Sequence, residues 1–119
     1  MEKINLQEKF DLFSDRWSPK RIGELNGQQV ILAKIKGEFV WHDHPNEEEL
    51  FYVVKGKLKL EFRDKTVELT PGEMLIVPRG VEHRPSAEDE TWLMLFEPLA
   101  TKHTGDVEHE MTVEEYQVI

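Results

Sequence analysis

The distribution of apolar and polar residues divides the chain into a short helical start and a long region of strands. Asn5 can cap a helix, and Glu8 stands where it can reach back to the cap. Phe10 and Phe13 continue a loose apolar stripe, which predicts a short helix over residues 6–13 on the outside of the body. A frayed arm is the alternative, because isolated short helices are marginal in water.

Beyond the first twenty residues the apolar positions recur with a period of two, which indicates β-strands. Asn26-Gly27 is a strong hairpin signal, and Gly56, Gly72 and Gly80 lie at further turns where a positive φ is expected. The predicted strands span residues 21–25, 29–36, 39–44, 50–54, 57–63, 66–69, 74–77, 83–85 and 91–97. Short strands with regular turns predict an antiparallel sandwich or barrel.

Two of these strands distribute their apolar residues differently. Residues 57–63 alternate strictly between apolar and charged side chains, as a half-buried strand does. Residues 91–97 are apolar on both faces, because Met94 alternates with Leu93 and Leu95. Such a strand needs a second cover, which is either the N-terminal arm or a partner subunit.

The last twenty residues lose the alternation. Residues 99–109 are predicted to form a loop that crosses the surface, with a turn at 104–106. Residues 112–115 could cap a short terminal helix. His103 and His109 lie in this tail, and we expect both at the exposed surface; the alternative for His103 is that it folds over the mouth of the barrel.

Length and composition limit the class of protein. The 119 residues predict one domain, with an N-terminal arm 1–20, a core barrel of about 21–98 and a C-terminal tail 99–119. There is no cysteine, so a metal would need nitrogen and oxygen ligands. The charged start and the lack of a long apolar segment argue against a signal peptide and a membrane span, which leaves a cytoplasmic location by default. The net charge of −9 argues against nucleic-acid and membrane partners.

The most distinctive chemistry lies between two predicted strands. His42 and His44 are two positions apart, so in a strand both imidazoles point to one face. Three consecutive glutamates, residues 47–49, follow a Pro-Asn turn. Neutral imidazole together with carboxylate suits a divalent first-row metal.

A later segment brings His83 to the end of a Pro-Arg-Gly turn, and the two segments together resemble the two motifs of the cupin family. The matching positions are Gly37, His42, His44, Glu49 and Gly56 in the first motif and Gly72, Pro78, Gly80 and His83 in the second. The spacing to Gly56 selects Glu49 among the three glutamates. The sequence departs from the family twice: the first interval is one residue shorter than usual, and Ala87 stands where an asparagine is common.

The resemblance implies an all-β fold, the cupin double-stranded β-helix or jelly-roll barrel, here with a short N-terminal helix. It also implies four metal ligands, His42, His44, Glu49 and His83, which would leave open positions on a six-coordinate ion. Fe, Mn, Ni, Co, Cu and Zn all suit these ligands, so the identity of the metal stays open. Because cupins often dimerise, the resemblance favours a homodimer.

Side chains two apart in a strand lie on the same face, which predicts where the neighbours of the ligands point. Phe51 and Val53 share the parity of Glu49, so we expect them to line an apolar pocket. Arg84 and Trp41 are expected to face away from the ligands.

Three classes of function fit a cupin of this size. The first is a metalloenzyme that acts on a small organic molecule, for which the family offers dioxygenases, decarboxylases and sugar isomerases or epimerases. The second is a non-catalytic ligand-binding or sensor module. The third, a storage barrel, is disfavoured because inward imidazoles are costly to bury unsatisfied. We expect a metal-binding enzyme, with the binding module as the alternative.

Overall fold

The computed structural model describes residues 1–105, 111–113 and 115–119. This part of the chain contains one short helix and eight strands, which confirms the predicted all-β fold. The elements are α1 Leu6–Phe10, β1 Lys20–Leu25, β2 Gln28–Glu38, β3 Glu49–Lys55, β4 Leu58–Phe62, β5 Thr66–Leu69, β6 Met74–Val77, β7 His83–Pro98 and β8 Gln117–Val118.

The helix begins as predicted and ends early. The side chain of Asn5 accepts a hydrogen bond from the backbone N–H of Glu8 at 3.0 Å. The helix ends at Phe10, three residues before the predicted end, and Phe10 is its buried residue. A helix this short is stabilised by packing rather than by its own hydrogen bonds, so it extends only as far as it can bury a side chain.

The long strand β7 organises the sheet, because three other strands pair with it. Its first part pairs with β4, its last part pairs with β3, and β2 runs antiparallel along most of its other edge. The sequence predicted two strands here, over residues 83–85 and 91–97. That prediction was wrong: the polar residues between them continue the strand, and the partner strand β2 accommodates them with a register shift.

The remaining strands extend this arrangement on both sides. The strand order is β5-β4-β7-β2-β1-β8, with β3 hydrogen-bonded to β7 and β6. Gly56 makes the tight turn from β3 to β4 with a φ of 91°. A side chain there would bring its Cβ to 2.5 Å from the Thr91 hydroxyl, so only glycine fits. Gly72 and Gly80 also have the predicted positive φ.

The two faces of the sheet bury separate groups of apolar residues. The inner group includes Phe51, Leu60 and Leu95. The outer group forms where Phe10 of the helix packs on β2 and stacks on Trp92, with ring centroids 4.7 Å apart. The N-terminal arm therefore covers part of the outer face of β7. It was one of the two covers that the sequence left open for this strand, the other being a partner subunit.

Three other expectations concern the ends of the chain and the membrane. The described residues of the segment 112–115 are not helical, and residue 114 lies outside the described part. Asp106 of the predicted turn and His109 also lie outside it. Among the described helices, none has the length and apolar character that crossing a membrane requires.

Candidate metal centre

The backbone brings the two motifs together through one pair of hydrogen bonds. The N–H of His42 donates to the carbonyl of His83 at 3.0 Å, and the N–H of His83 donates back at 2.9 Å. The predicted strand over 39–44 is reduced to this bridge, because the Pro-Asn turn that follows ends the pairing. The N–H of Gly80 donates to the carbonyl of His44 at 3.0 Å, which fixes the second histidine over the same turn.

Four side chains converge from these segments into one buried group. They are His42, His44, Glu49 and His83, with exposures of 3%, 4%, 3% and 0%. One potential ligand atom from each lies within 4.8 Å of the others. Oε1 of Glu49 is 3.5 Å from Nε2 of His44 and 3.4 Å from Nε2 of His83. The structure thus gathers the four residues that the sequence predicted, in a group that could hold a metal ion.

Backbone carbonyls set the tautomers of two of the imidazoles. Nδ1 of His42 lies 2.9 Å from the carbonyl oxygen of Val40, and Nδ1 of His83 lies 2.9 Å from that of Val81. Because a carbonyl only accepts, Nδ1 carries the hydrogen in both rings and Nε2 keeps its lone pair. This is the usual outer support of a metal-binding histidine.

The atoms left without partners are those that a metal would use. Nε2 of His44, Nε2 of His83 and Oε1 of Glu49 are buried and make no hydrogen bond to the described residues. Three unpaired buried polar atoms within one small group are costly. A divalent cation would satisfy all three at once, so the donor set fits a metal ion.

The charges in the group also suit a cation. Burial, and then the neighbouring His83, lower the pKa of His42 to about 4, so this ring is neutral. Burial alone would raise the pKa of Glu49, but contacts with His44 and His83 outweigh burial and hold it well below its usual range. Burial alone would lower the pKa of His44, but Glu49 outweighs burial and raises it. The neutral ring of His42 and the carboxylate of Glu49 therefore offer a lone pair and a negative charge to a cation.

A small apolar cavity of about 40 Å³ adjoins the group. Phe39, Phe51 and Leu95 are among its walls, and His42 and Glu49 face it. The position of Phe51 confirms the expectation from parity. Val53 does not line this cavity; it is fully buried in the inner core, because the strand carries it deeper into the barrel.

The two side chains expected to face away make contacts elsewhere. Arg84 donates to both carboxylate oxygens of Glu61 at 3.0 and 2.9 Å. The ring of Trp41 lies under the guanidinium of Arg63, with 3.8 Å from the ring centroid to the guanidinium carbon. Neither residue belongs to the metal group.

Sequence comparison identifies the family to which this fold and site belong. Residues 28–98 match the family model of the cupin domain. The chain belongs to the cupin family. A cupin-2 domain containing protein from Shewanella frigidimarina NCIMB 400 is 47% identical, with a TM-score of 0.79 over 80% of this chain and 93% of the other. Protein NMB1881 from Neisseria meningitidis is 33% identical, with a TM-score of 0.75 over 82% of this chain and 99% of the other.

The curated relatives align with a smaller share of this chain. Uncharacterized protein YdbB of Bacillus subtilis (strain 168) is 44% identical over 64 residues, which are 53% of this chain and 57% of the relative. The chain spans 57% and 58% of the length of the two curated relatives it matches.

In its described part, residues 99–105, the predicted surface loop buries several of its side chains. His103, expected at the surface, is only 9% exposed and lines the cavity. Its Nε2 accepts the backbone N–H of Val113 at 2.9 Å, and its ring lies 5.2 Å from that of Phe39. Burial lowers the pKa of His103 to about 4. The expectation of a surface position was wrong, and the alternative that His103 folds over the barrel is the one the structure favours; the segment carries no periodic signal that could have decided between them.

The tail also packs against the loop that carries the first two histidines. At Gly105, a Cβ would collide with the carbonyl oxygen of Asp43. An outer cleft of about 120 Å³, bordered by His44, Glu47 and Lys102, lies between this loop and the tail. The candidate metal group therefore lies between an inner apolar cavity and an outer polar cleft, and the tail forms a wall of both.

Glu97 is a buried acidic residue that the sequence analysis did not single out. Its side chain is 1% exposed, and neither carboxyl oxygen has a hydrogen-bond partner among the described residues. Burial, and then the negative charge of Glu49, raise the pKa of Glu97 well above its usual range. Its parity with Leu93 and Leu95 in β7 was the available signal, because it places an acidic residue on the inward face.

Proposed function

We propose that this cupin is a metal-dependent enzyme that acts on a small organic molecule. In this proposal one divalent transition-metal ion is held by His42, His44, Glu49 and His83. The convergence of four buried ligand atoms, three of them without partners, is the observation that carries it. Fe, Mn, Ni, Co, Cu and Zn all fit these nitrogen and oxygen donors.

A divalent ion bound there would supply a Lewis acid with open positions. The chain contributes the surroundings. The carbonyls of Val40 and Val81 orient two imidazoles, and the cavity beside His42 offers an apolar wall. With about 40 Å³, that cavity has space for only a small apolar part of a substrate. The outer cleft beside His44 offers space for a polar part.

A non-catalytic ligand-binding or sensor module is the second candidate, and one observation favours it. His103 is the further histidine beside the cavity, but its Nε2 accepts the N–H of Val113, and it is held by a hydrogen bond to the backbone of Met111. An imidazole engaged in this way is a poor general base. Chemistry would then depend on the metal ion and its bound groups.

We also propose that the protein is a cytoplasmic homodimer without nucleic-acid or membrane partners. Met74 and Ile76 on β6 are 53% and 50% exposed, outside the part of the sheet that the arm covers. Burying such apolar area in a two-fold interface would be favourable. Sedimentation of wild type beside Ile76→Glu measures this; a monomeric wild type at micromolar concentration would contradict the dimer.

The metal is tested by measuring metal content in tag-free protein by mass spectrometry. We expect about one equivalent of metal per chain in wild type and none in His42→Ala, because the substitution removes one of the four donor atoms of the site. His103→Gln is the matched control, since it changes a buried histidine outside the ligand set, and it should keep the metal. Wild type that stays metal-free after reconstitution would refute the metalloenzyme and leave the ligand-binding module.

The metal found then directs the activity assays. A redox-active ion leads to oxygen-uptake measurements with small organic substrates. Zinc or manganese leads to isomerase and decarboxylase assays. A metal-loaded protein that binds small molecules without converting them would support the sensor module.

A further inference from the structure

The register of β3 and β7 directs Glu97 toward the metal-group residue Glu49. In the antiparallel pair β3–β7, Leu50 is opposite Phe96 and Phe51 is opposite Leu95. One further step of this register places Glu49 opposite Glu97. Both side chains are buried, with exposures of 3% and 1%, so the two carboxyl groups face the same interior.

A carboxyl group at this position destabilises the folded state. Leu93 and Leu95 precede it on the same inward face, and a third leucine would continue the apolar wall. Both oxygens of Glu97 are buried without a hydrogen-bond partner among the described residues. A buried polar group without a partner destabilises the folded state, so fold stability alone does not account for Glu97.

Glu49 has His44 and His83 on one side, at 3.5 and 3.4 Å from its Oε1. Glu97 bounds it from the neighbouring strand. The side chain at position 97 is therefore placed where it can limit how the Glu49 carboxyl group turns.

We propose that Glu97 is a positioning residue of the metal centre, which contacts the carboxyl group of Glu49 and holds its Oε1 toward His44 and His83. This inference rests on the proposed metal binding. An amide at position 97 keeps the size of the side chain and can donate an N–H to the Glu49 carboxyl group. A ligand side chain that is already held in its binding orientation loses less conformational entropy when the metal binds, so the metal binds more tightly.

The test compares Glu97→Leu with Glu97→Gln, titrated with cobalt(II) as the probe and followed by visible absorption at neutral pH. Supporting residues of this kind typically contribute about 10–100-fold to metal affinity. We expect Glu97→Leu to bind cobalt(II) about 10–100-fold more weakly, with a changed visible spectrum. Glu97→Gln should stay within about threefold of wild type, because the amide restores the contact.

The metal-free stability of the same variants separates positioning from a purely structural role. Urea unfolding with chelator present should show Glu97→Leu at least as stable as wild type, since leucine continues the apolar inward face and a buried carboxyl group is costly. Affinity and metal-free stability then change in opposite directions, which general damage to the fold would not produce. Glu88→Leu is the matched control: it makes the same substitution in β7 at a side chain that is 83% exposed, and it should leave cobalt binding unchanged.

The outcomes are distinguishable. Unchanged affinity in Glu97→Leu, beside a wild type that binds cobalt(II), would overturn the positioning role and leave the proposed function intact. An equal loss in Glu97→Leu and Glu97→Gln would also overturn it, because charge rather than contact would then be responsible. A Glu97→Leu variant destabilised in its metal-free form would identify Glu97 as structural. A wild type that binds no cobalt(II) would refute both proposals.

Discussion

His103 links the stability of the metal-free protein to pH. In the folded state the ring is buried, and its Nε2 accepts the N–H of Val113 at 2.9 Å. Protonation of this nitrogen would remove the hydrogen bond and bury a charge. Burial accordingly lowers the pKa of His103 to about 4, whereas an unfolded histidine titrates near 6.5.

The sign and size of the effect follow from this difference. Between the two pKa values the unfolded chain binds a proton that the folded protein does not, so stability rises with pH. The contribution is fully present above about pH 6.5 and is lost as the pH falls toward about 4. From a folded pKa of about 4, the loss from His103 between about pH 7.5 and 5 is about 2 kcal/mol.

The assay is urea unfolding of the metal-free protein, with chelator present, at both pH values. His103→Gln is the matched variant, because its amide can donate and accept hydrogen bonds but does not titrate. His42 also has a lowered pKa, but it is present in both proteins and cancels in the comparison. We expect wild type to lose about 2 kcal/mol more than His103→Gln between the two pH values.

Equal losses in the two proteins would refute the reasoning. The ring would then titrate normally, which requires that water reaches it and that the tail does not bury it. A smaller loss in wild type than in the variant would contradict even the sign. Hydrogen exchange of the tail amides at the two pH values checks the location of the effect, since exchange should rise there at low pH.

The remaining predictions concern the tail and the metal. Gly105→Ala should release the tail, because its Cβ would collide with the carbonyl oxygen of Asp43, and limited proteolysis of the tail measures this. Gly27→Ala is the control, because Gly27 also has a positive φ but has nothing within 4 Å of the added Cβ; equal cleavage of both variants would contradict the close contact. Metal affinity should fall below about pH 6, because protons compete for the imidazoles; titrations that give the same affinity from about pH 8 to 5 would exclude histidine ligation. Chelator should lower the melting temperature of metal-loaded protein, because ligands of the native state stabilise it; an identical melting temperature without the metal would count against an occupied site.

The alternation of apolar residues along the chain was sufficient to predict most of the strands. Each strand from β1 to β6 overlaps a predicted one, because side chains two apart share a face and the burial of that face selects the conformation. The motif spacing likewise placed His42, His44, Glu49 and His83 as one set. Their role as ligands, the single-domain organisation, the homodimer and the cytoplasmic location stay predictions.

Which distant residues share the interior depends on the pairing of the strands in the folded chain. The β3–β7 register, continued by one pair, directs Glu97 toward Glu49. Register depends on all the contacts along both strands rather than on local pattern. The tail has no periodicity, so its path was set by contacts such as those of His103 with Val113 and Phe39. Local sequence patterns determine on which face of its strand a side chain lies, whereas long-range strand pairing determines which residues it contacts there. For this reason the sequence alone indicated the four candidate ligands, and the folded chain revealed the carboxyl group and the tail that surround them.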